Sequence, residues 1–145
     1  MIDISKSLGY AIHAIVYMAT RKDKKLVRAS EVARGCGLSV SYMMKILQAL
    51  RRAGIVDSTI GVKGGYFLSK PLEQITLYEL ISAIEPSREE ICYLSTAIGC
   101  RYRKDCIVRN LFSDVNEKIK LYLKSVNLQE VVDSIGDKIC VYSKV

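Results

Sequence analysis

Between Ser30 and Leu68 the chain sets two short helical patterns and a hairpin in a fixed order, each punctuated by glycine. Ser30 has the side chain of an N-cap for a short helix over roughly residues 31–36, and Gly37 ends it. Ser39 caps a second helix over roughly residues 40–53, and Gly54 stops it. Two helices this close together across a glycine turn form a helix-turn-helix. Val32, Ala33, Leu38, Ile46, Leu47 and Leu50 are placed to make its core. Residues 55–60 then read as a strand, 61–65 as a glycine-rich turn and 66–68 as a return strand. A hairpin directly after the second helix is where a wing sits. The predicted fold is therefore mostly α with a small β-hairpin wing, a winged helix-turn-helix.

The flanking segments are helical. Ile4, Leu8, Ile12, Ile15 and Ala19 recur at steps of three and four and make one face of a helix before the polar loop at 21–25. Thr76 caps a short helix through Ile84, with Leu77, Leu80, Ile81 and Ile84 on one side. From Cys106 onward, Ile107, Leu111, Val115, Ile119, Leu123 and Val126 form a long apolar row, widened by Val108, Phe112 and Tyr122. A helix this long beyond a complete winged helix is expected to pair with a second copy, giving a homodimer. Asn127 caps a last helix carrying Leu128, Val131, Val132 and Ile135. The expected organisation is a DNA-binding domain over 1–85, a cysteine-bearing loop over 86–106, a dimerisation helix and short C-terminal helix over 107–136, and a tail over 137–145.

Charge separates the two halves. The chain of 145 residues carries a net charge of +7. Residues 1–70 hold 12 Lys/Arg against 4 Asp/Glu, whereas residues 71–145 hold 10 against 11. The first half suits a polyanion. No run of apolar residues is long enough to span a membrane, and Met1 is not followed by a basic stub and an apolar stretch. A cytoplasmic protein with no membrane partner is expected. There is no nucleophile–base pair, P-loop or dinucleotide fingerprint, so an enzyme is not expected.

Double-stranded DNA is the expected partner. The N-terminal end of the second helix would enter the major groove, bringing Ser39, Ser41, Tyr42 and Lys45 to base edges and phosphates. Arg28, Arg51 and Arg52 are candidates to hold the backbone, and Lys63 at the wing tip to reach an adjacent groove or phosphate. Singly, each reads as a solvated surface charge or hydroxyl; the set, with the basic half, points to DNA.

Five cysteines in a chain without an export signal do not suggest a disulfide framework. Cys92, Cys100 and Cys106 fall close together, with Arg101, Arg103 and Lys104 beside the last two, a setting that favours thiolates. Cys106 lies near a helix N-terminus, with Asp105 as the expected cap. Three thiolates are an incomplete set for zinc or an iron–sulfur cluster, and on chemistry alone a cluster, zinc and metal-free thiols all remain open. His13 is the one imidazole in the chain; Cys36 and Cys140 read as ordinary small residues.

The whole chain resembles the Rrf2 family of bacterial winged-helix regulators. The resemblance is carried by Ser7-Leu8-Gly9-Tyr10-Ala11-Ile12, Ala29-Ser30-Glu31-Val32-Ala33, Ser39-Val40-Ser41-Tyr42-Met43 and Leu50-Arg51-Arg52-Ala53-Gly54-Ile55-Val56. The wing Gly61-Val62-Lys63-Gly64-Gly65-Tyr66-Phe67-Leu68, then Ile75-Thr76-Leu77 and Ala83-Ile84-Glu85, complete it. The resemblance implies a homodimeric transcription regulator, expected to act as a repressor, whose long helices pair. It also implies an iron–sulfur cluster (2Fe-2S or 4Fe-4S) on Cys92, Cys100 and Cys106 that senses iron, redox state or nitric oxide. In such relatives the partner's first helix can supply the remaining ligand, and His13 lies one turn beyond Gly9, where some relatives carry an acidic ligand. The family's wing arginine before the first wing glycine is replaced here by Ile60, so operator preference does not transfer. Two other readings stand beside this one: a thiol-based redox regulator without metal, and a small zinc or iron–sulfur module.

Overall fold

The computed structural model describes residues 4–21, 26–86 and 106–135. Ser5 caps α1 (Lys6–Thr20) through its Oγ, which accepts from the Leu8 N–H at 3.1 Å. α2 (Ala29–Gly35) and α3 (Val40–Arg52) follow, then strands β1 (Val56–Thr59) and β2 (Gly65–Leu68). A 3₁₀ turn at Leu72–Gln74 leads into α4 (Leu77–Ile84). The long α5 (Ile107–Ser125) and the short α6 (Leu128–Ile135) complete the described chain. This is the winged helix-turn-helix that the glycine spacing predicts.

The two glycines that close the helices do so for a conformational reason. Gly37 and Gly54 have φ of 65° and 71°, a region side-chain-bearing residues avoid. The start of α2 differs from expectation. Its N-cap is Arg28, not Ser30, and the Arg28 N–H donates to Glu31 Oε2 at 3.4 Å. The cause is tertiary: Val27 pairs as a short bridge with Tyr66 of β2, through N–H to carbonyl bonds of 2.9 and 2.8 Å. The chain is therefore extended up to Val27 and turns helical immediately afterwards.

β1 and β2 form an antiparallel hairpin with Val56 opposite Leu68 and Thr59 opposite Gly65. Below the wing, one buried cluster gathers Leu8, Ala11 and Ile15 of α1, Val32 of α2, Met43, Leu47 and Leu50 of α3, and Leu80 of α4. Burying each of the leucine, isoleucine, valine and methionine side chains among them contributes about 1.5–3 kcal/mol. Leu128 and Val132 of α6 join the same cluster. The Leu77 N–H donates to Val126 O and the Leu128 N–H to Ile75 O, both at 2.8 Å, pinning the α5–α6 junction to the start of α4.

α5 is different. It packs along α4, with Lys124 Nζ 5.2 Å from the centre of the Tyr78 ring, yet none of its residues is buried. Ile107, Val108, Leu111, Phe112 and Val115 are all exposed, whereas Ile119 and Leu123 are half-buried. No helix among the described residues is long and apolar enough to cross a membrane.

Candidate nucleic-acid interface

α3 divides cleanly between core and solvent. Met43, Ile46, Leu47 and Leu50 face inward, and Ser41, Met44, Lys45, Gln48 and Arg52 are exposed. This follows from the helical period, which returns every three to four residues to the same face. At the N-terminus, Ser39 Oγ accepts from the Tyr42 N–H at 3.3 Å. That cap, together with the helix dipole, makes this end suited to phosphate. Lys45, Gln48 and Arg52 then line one exposed strip along the helix.

The arginines are held rather than loose. Arg51 Nε lies 3.2 Å from Asp57 Oδ1, tying the end of α3 to β1; the pair is exposed. Arg52 Nε donates to Gln48 O at 3.4 Å. Gln48, Arg51 and Arg52 together line an open shallow cleft. Arg28 Nη2 donates to Val62 O at 2.9 Å and so braces the wing tip. Lys63 is exposed at that tip.

Tyr42 is placed differently from its neighbours. It is half-buried, its hydroxyl lies 2.8 Å from Ser7 Oγ, and its ring meets Tyr10 edge-on at 6.1 Å. It locks α3 to α1, and its hydroxyl already has a protein partner. Sequence reasoning missed Val40 and Met44, two exposed apolar side chains in the first turns of α3. Such groups can meet thymine methyls in the major groove. The signal is in the sequence, since both positions fall on the row of α3 that the amphipathic pattern leaves outside the core.

Of the candidate metal ligands, Cys106 and His13 fall within the described residues, and Cys92 and Cys100 lie outside them, as do Asp105 and Cys140. Cys106 is itself the N-cap of α5, a half-buried free thiol at the positive end of a helix. His13 is half-buried on α1 and lines a shallow pocket of about 230 Å³ with Lys6, Gly9, Tyr10 and Cys36. Cys36 is thus both a buried core residue, as expected, and part of the wall beside His13. Among the described residues, no three metal-ligating side chains come together.

The sequence and the fold are matched by known proteins. The sequence fits the Rrf2 profile, described as "Iron-dependent Transcriptional regulator", over residues 4–134. The chain belongs to the Rrf2 family. It is 30% identical over 86% of its length to an HTH-type transcriptional regulator of Neisseria meningitidis serogroup A, of which it covers 83%. It is 30% identical over 85% of its length to the HTH-type transcriptional regulator IscR of Xenorhabdus nematophila, covering 74% of that protein. The structure of CymR, the global cysteine regulator of B. subtilis, superposes with a TM-score of 0.70 at 24% identity, over 92% of this chain and 98% of that one. This Rrf2 protein is a DNA-binding transcriptional regulator.

Proposed function

We propose that this Rrf2 protein is a homodimeric repressor whose DNA affinity is controlled by an iron–sulfur cluster on Cys92, Cys100 and Cys106, completed by His13 of the partner subunit. The observation that carries the reading is the position of Cys106. It caps α5, the helix whose exposed apolar row calls for a second copy. A ligand at the start of the dimer helix can alter how two reading heads are spaced.

The donor set suits the cluster. Soft thiolates are its usual ligands, and Cys106 stands at the N-terminus of α5. An imidazole can replace a thiolate on such a cluster. When bound, the cluster would supply a group that responds to iron supply, oxidation or nitric oxide. The chain's own residues do the rest. α5 would pair the protomers through Ile107, Leu111, Phe112 and Val115. Tyr42 and Ser7 hold α3 against α1, the helix that carries His13. Ser41, Lys45 and Arg52 would engage an operator with half-sites roughly 34 Å apart.

An anaerobic visible spectrum with iron and sulfide analysis tests this. The expected result is a coloured protein with both elements, colourless in Cys106→Ala and spectrally shifted in His13→Ala. A colourless protein holding zinc would overturn the cluster. A second reading, regulation through metal-free thiols, is favoured by the likeness to CymR and by the half-buried thiol of Cys106 at the start of α5. Colourless, metal-free protein whose DNA binding responds to oxidant would select it.

A further inference from the structure

The wing tip carries an anomaly. Ile60 is 98% exposed and Val62 is 92% exposed, the two least covered large apolar side chains among the described residues. They flank Gly61, whose φ of 124° is accessible to glycine and strained for other residues. The turn beneath them is tightly built. The Gly64 N–H donates to Gly61 O at 2.9 Å, and a Cβ on Gly64 would collide with the Thr59 carbonyl oxygen. Gly65 packs so closely on the Val27 backbone that a Cβ there would lie 3.0 Å from Val27 O. Arg28 donates to Val62 O from outside the hairpin. The tip is therefore fixed on both sides, and it holds two branched apolar side chains out into water.

Fixing apolar groups in solvent has no folding benefit, so the tip points to a partner. Its surroundings select one. Arg28 donates to the Val62 carbonyl and exposed Lys63 follows Val62 in the chain, so the tip carries two cationic residues. The hairpin is continuous with α3 and tied to it by Arg51 and Asp57, so the tip is held in register with that helix. Two side chains are also too small a patch for a stable protein interface, which takes roughly 800 Å² per partner. We infer that Ile60 and Val62 form an apolar wedge that enters the minor groove beside the major-groove site of α3 and opens a base step, bending the operator. Apolar residues inserted in this way kink duplexes by roughly 20–90°. Pyrimidine–purine steps yield most easily, so the wedge would also select sequence without a hydrogen bond to any base. Arg28 and Lys63 would hold the flanking phosphates.

The inference rests on the DNA-binding assignment, and the test separates the two. Selection from a random-sequence duplex pool with full-length protein, both metal-loaded and stripped, yields bound sites. End-to-end energy transfer on the selected duplex then measures its bend. The wild type should enrich TA or CA steps at the wing positions and bend the duplex. The Ile60→Ser/Val62→Ser variant changes two exposed residues and should remain folded. It should still bind, about ten-fold more weakly, with less than half the bend and no step preference. Lys63→Ala should weaken binding and lower the salt dependence by about one counterion while leaving the bend intact. A straight wild-type complex, or an unchanged bend in the double variant, would overturn the wedge alone. Failure of the wild type to enrich any duplex in either form would overturn the DNA-binding assignment with it.

Discussion

The α1–β2 head and the α5 helix obey opposite rules. In the head, every helix buries at least one face: α1 sends Ala11, Ala14 and Ile15 inward, and α3 sends Met43, Leu47 and Leu50. α5 is the longest helix described, and none of its residues is fully buried. Its apolar row splits along its length. The first turns, from Ile107 to Val115, stand exposed, while Ile119 and Leu123 are half-covered. A helix at rest against its own domain would bury its stripe from end to end. The difference teaches that the head closes its core within the described residues, whereas α5 leaves its first turns uncovered.

The largest effect should come from breaking that uncovered surface. Leu111→Lys/Phe112→Glu should convert a dimer to a monomer and cut operator affinity about a hundred-fold or more, since two linked heads bind far better than one. The helical signal and melting of the head should persist. Light scattering and a gel shift read both, and a variant that stays dimeric would break the contrast. Next comes the core of the head. Leu47→Ala should cost about 2–5 kcal/mol in denaturant unfolding, because it leaves a cavity in a closed interior. Little loss there would mean that the head is not the self-sufficient unit.

Much of this contrast was legible in the sequence. The caps at Ser39, Thr76 and Asn127, the stops at Gly37 and Gly54, and the hairpin all sit where local chemistry placed them. What local pattern did not show depends on distant partners. Ser30 looked like the cap of α2, but pairing of Val27 with Tyr66 moved the helix start to Ala29. Tyr42 reads as a DNA contact by its spacing on α3, and the 2.8 Å bond of its hydroxyl to Ser7 of α1 is a further role that spacing does not show. The 3₁₀ turn at Leu72–Gln74, which buries Leu72, was too short to leave a periodic signal. Asp105 was the expected cap of α5, but Cys106 holds that position. The pocket that brings His13 beside Cys36 joins two helices and could not be read from either alone.

Two smaller effects sharpen the comparison within the head. Lys45→Ala should weaken operator binding about ten-fold without changing dimerisation, as loss of one groove contact costs about 1–3 kcal/mol. A gel shift at fixed salt measures it, and an unchanged affinity would remove Lys45 from the interface. The smallest concerns Glu79. The Thr76 N–H bonds its carboxylate at 2.8 Å and, aided by Lys70 at 3.0 Å, outweighs partial burial to hold its pKa below the ordinary value. The stabilised form is the charged one. Its contribution is therefore complete above the unfolded-state pKa near 4.5 and fades as pH falls through the lowered folded value. Because the pair is partly exposed, the effect should stay below about 1 kcal/mol. Glu79→Gln should flatten that acid limb in unfolding curves taken across the range, and a limb of unchanged slope would assign the acid sensitivity elsewhere.

The measurement that reaches the central claim is operator affinity with and without the metal group. One preparation, loaded anaerobically with iron and sulfide and then stripped, is titrated with the same duplex at the same salt. A cluster fixed at the start of α5 should change affinity at least about ten-fold, the range of a working allosteric coupling. Equal affinities in a protein that does hold the cluster would contradict regulation through it.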